Sequence, residues 1–155
     1  MQLRRYRASD AEACAALFHR AVQVGAAGHY SAEQRNAWAP EPPPAGPFGA
    51  RLARQITWVA EEDGIAGFMS LRPEGYLDLT YVAPERRGTG LAAQLYDKIE
   101  AEAAALGLAE MTVEASLLAR PFLARRGWEL VAAQEVERRG VMIPNFRMRK
   151  RLGAG

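Results

Sequence analysis

At 155 residues, the chain can form one domain that buries about 70% of its unfolded surface, and a second domain would be cramped. With 49% apolar and 25% charged residues it has an ordinary globular composition, and no apolar run approaches the roughly 20 residues of a membrane span. A net charge of +2 is too small to indicate nucleic-acid binding, and a single cysteine excludes an intrachain disulfide or a cysteine-rich metal site.

Leu3 to Tyr6 reads as a first strand. These first residues lack the apolar core of a secretory signal, so cytoplasmic residence is expected. Ser9-Asp10-Ala11-Glu12 has the form of a capping box and starts a helix to about Gln23. Its apolar stripe holds Cys14, Leu17, Phe18, Ala21 and Val22, which makes Cys14 a small buried residue rather than a nucleophile. Ser31-Ala32-Glu33-Gln34 repeats the capping signal and predicts a short helix to Trp38. Pro40 to Pro47 is too proline-rich for a regular element and is expected to be an exposed loop within the domain.

Ile56–Glu61 and Ile65–Leu71 flank Glu62-Asp63-Gly64, where Asp-Gly is a strong hairpin signal. Pro73-Glu74-Gly75 turns into a third strand, Tyr76–Val82, so an antiparallel meander precedes the glycine-rich segment. Leu91, Leu95, Ile99, Ala103 and Leu106 then recur at helical spacing, and Gly107 fits a C-cap. Met111–Ala115 is a further strand. Arg120–Arg126 is a short helix with Pro121 at a tolerated position and Gly127 as its stop. Trp128–Val136 and Val141–Met148 end the chain as two strands joined near Arg139-Gly140.

The segment Val82-Ala83-Pro84-Glu85-Arg86-Arg87-Gly88-Thr89-Gly90-Leu91-Ala92 joins a strand to a helix through a glycine-rich, basic turn. At a helix start the first N–H groups lack intrahelical acceptors and the helix dipole is positive, so an anion such as a pyrophosphate finds donors already aimed at it. Glycines let the backbone approach that anion without a Cβ in the way. The local basic pair also fits a polyanionic ligand.

Arg87-Gly88-Thr89-Gly90-Leu91-Ala92 matches Arg/Gln-x-x-Gly-x-Gly/Ala after Val-x-Pro, and so resembles the acyl-CoA pyrophosphate loop of the GNAT superfamily of N-acyltransferases. The predicted order of strand, two helices, three strands, helix, strand, helix and two strands matches that fold over nearly the whole chain. The resemblance implies an α/β fold, a mixed, mostly antiparallel sheet of about seven strands flanked by helices. Phe122-Leu123-Ala124-Arg125-Arg126-Gly127-Trp128 is similar to the family's Phe-Tyr-x-x-x-Gly-Phe segment. His29-Tyr30-Ser31, Glu114-Ala115-Ser116 and Asn145-Phe146-x-Met148 resemble the YafP-like bacterial branch.

By this resemblance the backbone of Arg87, Gly88, Thr89, Gly90, Leu91 and Ala92 binds the CoA pyrophosphate, and the main chain of Tyr81 and Val82 pairs with the pantetheine arm. Ser116 stands where the family often has a CoA-contacting asparagine. The strand at Tyr76–Val82 is expected to splay from Met111–Ala115 and leave a slot for the thioester of acetyl-CoA, the co-substrate. The acceptor amine attacks the acyl carbonyl directly, so no enzyme nucleophile is required.

A primary amine of pKa near 10.4 is neutral to only about one part in a thousand at pH 7, a deficit of roughly 4 kcal/mol. A general base removes that proton, and Asp78, on the meander strand beside the slot, is the first candidate, followed by Glu114 on the next strand. Leu123 replaces the tyrosine that often protonates the leaving thiolate; Tyr30, Tyr81 or Tyr96 could serve instead, or the thiolate could leave unassisted. His29, Trp38 and Asn145 fall in the regions that set acceptor choice in this family. No metal is implied, and a homodimer through the last strands is compatible with the sequence, though no specific feature points to it.

Two other readings compete. Gly88-Thr89-Gly90-Leu91-Ala92-Ala93 also fits a dinucleotide-binding Gly-x-Gly-x-x-Ala, but the preceding strands read as an antiparallel meander and no second βαβ unit follows. A Walker loop is absent. A catalytically silent acyl-CoA sensor would keep the same loop, and turnover with an amine separates it from an enzyme.

Overall fold

The computed structural model describes residues 1–153. Its strands are β1 (Gln2–Arg5), β2 (Ile56–Glu61), β3 (Ile65–Leu71), β4 (Tyr76–Val82), β5 (Glu110–Ala115), β6 (Glu129–Arg138) and β7 (Val141–Arg151). They form one seven-stranded sheet in the order β1-β2-β3-β4-β5-β7-β6. All pairings are antiparallel except β4 with β5. The helices are α1 (Ala11–Arg20), α2 (Ala32–Trp38), α3 (Ala45–Ala53), α4 (Leu91–Ala105) and α5 (Ala119–Ala124). No helix among the described residues is long and apolar enough to cross a membrane.

Side chains alternate between core and solvent where a strand is covered on one face. In β5, Met111, Val113 and Ala115 are buried while Glu110, Thr112 and Glu114 are exposed. One side of the sheet packs against α4, whose Leu91, Leu95, Tyr96, Ile99 and Ala103 fall on one stripe against Met69, Leu71, Leu77 and Met111. Gly67 of β3 makes this approach possible, since a Cβ there would lie 2.7 Å from Leu91 Cδ2. The other side packs against α1 and α3, where Cys14, Leu17, Phe48 and Leu52 meet Val59, Phe68 and Leu79. Cys14 is fully buried, and burial pushes its thiol pKa up to about 12, as befits a packing residue.

The Asp63-Gly64 hairpin is formed with both residues at positive φ, 54° and 103°. The Ser31 box is also made: Ser31 Oγ accepts from the Gln34 N–H at 3.1 Å and Gln34 Oε1 accepts from the Ser31 N–H at 3.0 Å.

Three expectations need correction. The entry to α1 is not capped by Ser9 and Glu12; Asp10 Oδ2 accepts from the Arg7 N–H at 2.8 Å instead. Asp10 is committed to this place by Arg4, whose Nη1 and Nη2 donate to its two oxygens at 2.8 Å each in a buried ion pair. That helix is α-helical only to Arg20, and its expected end near Gln23 falls within a wider turn over Ala21–Gly25. Finally, the proline-rich stretch is a loop only to Pro44, because α3 begins at Ala45. Pro44 caps it and Pro47 lies in its first turn, where the missing N–H has no acceptor to lose, and Phe48 and Leu52 supply the apolar face.

Candidate active site

β4 and β5 start side by side and then part. Their parallel pairing is confined to Tyr76↔Thr112 and Leu77↔Val113, so from Asp78 to Val82 the β5-facing edge of β4 has no strand partner. The register with β3 jumps at the same place: Leu71 faces Leu77 and Ser70 faces Leu79, which leaves Asp78 as an extra residue in a β-bulge. The bulge turns Asp78 toward α3, the side that Leu79 also faces, where simple alternation would have put the two on opposite sides.

Beyond β4 comes the glycine-rich turn. Gly88 and Gly90 have φ of +74° and +84°, and nothing lies within 4 Å of where either Cβ would stand. A side chain there is therefore disfavoured by backbone conformation and not by crowding, and the space in front of the turn is open. Gly90 is the N-cap of the 15-residue helix α4, and the first helical bond runs from the Gln94 N–H to the Gly90 oxygen at 3.1 Å. The N–H groups of Leu91, Ala92 and Ala93 precede it and point out of the helix start. Arg87 donates through Nη2 to the Gly25 oxygen, tying the turn to the end of the first helix, and Arg86 pairs with Glu62 at 2.8 Å. Thr89 is surface-facing, with its hydroxyl on the Arg86 oxygen at 2.5 Å, while the Leu91 side chain is in the core. The pattern of open space, positive φ and free donors fits a pyrophosphate.

A cavity of about 490 Å³ runs from this turn, past Val82, Arg87, Gly88, Gly90 and Ala92, to the start of α5. A second cavity of about 300 Å³ lies under α2, α3 and the β6–β7 hairpin. The two share Trp38, Thr80, Tyr81 and Ser116, residues at the parting of β4 and β5. The two cavities therefore adjoin at these four residues, one reaching to the glycine turn and the other to α3 and the β6–β7 hairpin.

In the second cavity Asp78 is heavily engaged. Arg51 Nε and Nη2 donate to its two oxygens at 2.8 Å each, Gln55 Nε2 donates at 2.7 Å, and Arg72 Nη2 lies 3.8 Å away. Burial alone would raise its pKa, but the hydrogen bonds from Arg51 and Gln55 outweigh that and hold the carboxyl below the usual range. Such a carboxylate has little affinity for a further proton. Glu114 is held differently: Oε1 accepts from the Tyr76 hydroxyl at 3.2 Å and Oε2 from Gln134 Nε2 at 2.9 Å, both neutral donors. Burial, reinforced by the charge of Glu114, pushes the Tyr76 phenol up to about 12, so it remains a donor at neutral pH.

Tyr30 is 3% exposed; its hydroxyl donates to the Pro144 oxygen at 2.8 Å and accepts from the Leu117 N–H at 2.9 Å, fastening β7 to the turn after β5. Its ring packs edge-on against Trp38. Asn145 lines the second cavity with its Oδ1 on Gln134 Nε2 at 2.9 Å. Ser116 caps the turn into α5, accepting from the Ala119 N–H at 3.1 Å. His29 is placed apart from these, in the cavity of the glycine turn. Leu123 is buried in the core, and Tyr96 gives its hydroxyl proton to Glu100 at 2.7 Å.

Sequence reading passed over Arg51 and Tyr76, which line the second cavity, and Gln134, which holds Glu114 there. Arg51 lies on the helix hidden by the prolines, and Gln134 on β6 meets Glu114 only through the β5-β7-β6 strand order. Tyr76 was legible in principle, because a parallel β4–β5 pairing at Thr112 puts it beside Glu114.

Comparison with known proteins follows the same lines. A family model described as an acetyltransferase (GNAT) domain matches residues 26–152. YafP of Escherichia coli strain K12, described as an uncharacterized N-acetyltransferase, is 38% identical over 151 residues, 96% of this chain and 95% of its own. A crystal structure of a GCN5-related N-acetyltransferase from Rhodopseudomonas palustris superposes with a TM-score of 0.91 at 35% identity, covering 97% of this chain and 95% of that one. YncA of Salmonella typhimurium, solved with acetyl-CoA, shares the fold at a TM-score of 0.77 and 21% identity, over 100% of this chain and 95% of its own. With a family model spanning most of its length and a relative 38% identical almost from end to end, the chain belongs to the GNAT family of acetyltransferases.

Proposed function

We propose that the protein transfers an acetyl group from acetyl-CoA to a primary amine, which attacks the thioester carbonyl directly while both substrates are bound. The observation that carries this reading is the meeting of two cavities at Trp38, Thr80, Tyr81 and Ser116, with a glycine turn suited to an anion in one and a carboxylate held by neutral donors in the other. Acetyl-CoA supplies the activated acyl carbonyl. The turn from Arg87 to Ala92 holds its pyrophosphate, and the unpartnered edge of β4 at Tyr81 and Val82 offers backbone groups to the pantetheine amides.

Glu114 is the general base that this arrangement favours, acting directly or through water. Its two neutral donors orient the carboxylate at the cavity where the amine would lie. Asp78 anchors Arg51 and the end of α3, and Tyr30 positions the turn after β5. Tyr81 belongs to both cavities, and burial pushes its phenol pKa up, so it keeps a proton to give to the departing thiolate.

Calorimetry with acetyl-CoA and NAD, followed by thiol release in a panel of primary amines, tests the reading. Selective acetyl-CoA binding and amine-dependent thiol release are expected. Binding without turnover on any amine would make the protein a silent acyl-CoA module, and a preference for NAD would remove the cofactor assignment.

A further inference from the structure

The second cavity carries more charge than acetyl transfer alone requires. Four charged side chains line it: Arg51, Asp78, Glu114 and Arg138. Arg51 and Asp78 neutralise each other at 2.8 Å. Glu114 meets only the neutral donors Tyr76 and Gln134. Arg138 donates Nη1 to the neighbouring Glu137 oxygen at 3.1 Å, and among the described residues it has no ion-pair partner. Arg147 stands opposite Glu114 on β7 but does not line the cavity, so of the charges that line it the Glu114 carboxylate and the Arg138 guanidinium are the two with no ion-pair partner among the described residues.

Their separation is set by the β6–β7 hairpin. Gln134, which holds Glu114, is opposite Asn145; Val136 is opposite Ile143; Arg138 is opposite Val141. Side chains two apart share a face, so Asn145, the apolar pair Val136 and Ile143, and the Arg138 guanidinium follow one another along the cavity wall. At the rise of a strand, Gln134 and Arg138 are about 13 Å apart along β6. The bond to Glu137 keeps the Arg138 guanidinium at its own end.

We infer that the acceptor is an elongated amine with an apolar middle and a carboxylate at the end remote from the reacting nitrogen, and that Arg138 is the specificity residue that binds this carboxylate. The inference rests on the acetyl-transfer reading, with the amine at Glu114. The α-amine and α-carboxylate of an amino acid are too close together to reach both ends. A single guanidinium balances a monoanionic carboxylate, whereas a phosphate monoester would leave excess negative charge beside Glu114.

The test compares 4-(aminomethyl)benzoate with 4-(aminomethyl)benzamide as acceptors, following thiol release from acetyl-CoA by wild type, Arg138→Gln and Arg138→Lys. The two probes share an aromatic body and a benzylic amine and differ in the terminal charge. Wild type should prefer the benzoate by about tenfold in kcat/KM, mainly through KM. Arg138→Gln should abolish that preference while leaving the benzamide rate and acetyl-CoA affinity unchanged, and Arg138→Lys should restore part of it. Equal rates in wild type, a preference that survives Arg138→Gln, or turnover of other amines but neither probe would each overturn the inference. If acetyl-CoA binds and no amine is acetylated, the transfer reading itself has failed.

Discussion

The Tyr76 hydroxyl donates to Glu114 Oε1 at 3.2 Å, linking β4 to β5 just before the two strands part. With Gln134 on the other oxygen, the carboxylate is oriented by two neutral donors; Arg147 stands opposite it on β7, and among the described residues the two do not form an ion pair. Glu114→Gln keeps the shape and removes the basic oxygen. We expect it to lower kcat by about 10²- to 10⁴-fold near neutral pH, with the acetyl-CoA dissociation constant unchanged. Tyr76→Phe should have a smaller effect, since it loosens the carboxylate without removing it. A pH-rate profile of Glu114→Gln that overlays the wild-type curve would take the base assignment away from Glu114.

Asp78 shows why a carboxylate in a cleft need not be the base. Its side chain is 4% exposed and serves Arg51, Gln55 and Arg72. Asp78→Asn should reduce stability by about 1–2 kcal/mol, the figure being limited by the exposure of Arg51. The shape of the pH-rate profile should be retained. Because its folded pKa is depressed, the contribution of Asp78 to stability is fully present above the unfolded carboxylate value and is lost as pH falls through the folded one. Denaturation midpoints of wild type and Asp78→Asn should therefore differ at pH 7 and converge well below pH 4. A midpoint difference that is constant with pH would show that the ion pair is not its source.

Gly90 supplies a conformation as well as an open approach. At φ +84° an alanine is strained by about 1–2 kcal/mol even though its Cβ would touch nothing. Gly90→Ala should therefore weaken acetyl-CoA binding by about tenfold or shift the start of α4, and Gly90→Glu should go further by placing a carboxylate against the pyrophosphate. Isothermal calorimetry on the two variants gives the ranking. Acetyl-CoA affinity in Gly90→Glu equal to that of wild type would place the pyrophosphate elsewhere.

The parts of the site legible in the sequence are those made by neighbours in the chain. The glycine turn, the Asp63-Gly64 hairpin and the Ser31 box each depend on a few consecutive residues, and each is formed where the sequence places it. The second cavity depends on partners far apart. Arg51 and Asp78 are 27 residues apart and meet because Pro44 and Pro47 begin a helix, where proline usually argues against one. Asp78 faces α3 because a bulge breaks the alternation, and no period-2 reading foresees a bulge. Glu114 was readable as a candidate from its strand, but its donors arrive from β4 and β6, which only the sheet order brings together.

Tyr81 is the phenol that both cavities share, and its assignment as proton donor has a clean test. Its ring packs edge-on against Phe18 at 4.8 Å between centroids and lies 5.9 Å from Phe68, so Tyr81→Phe removes the hydroxyl and keeps the packing. Stability and acetyl-CoA affinity should change little. The raised pKa means that the hydroxyl stays protonated through neutral pH, so wild-type activity should not fall on the alkaline side from loss of this proton until well above the usual tyrosine range. If the hydroxyl protonates the leaving thiolate, Tyr81→Phe lowers kcat by about 10²-fold with KM for the amine unchanged. Leu123 already occupies the place of the family's usual donor, so a Phe variant with full kcat would mean that the thiolate departs without a side-chain acid.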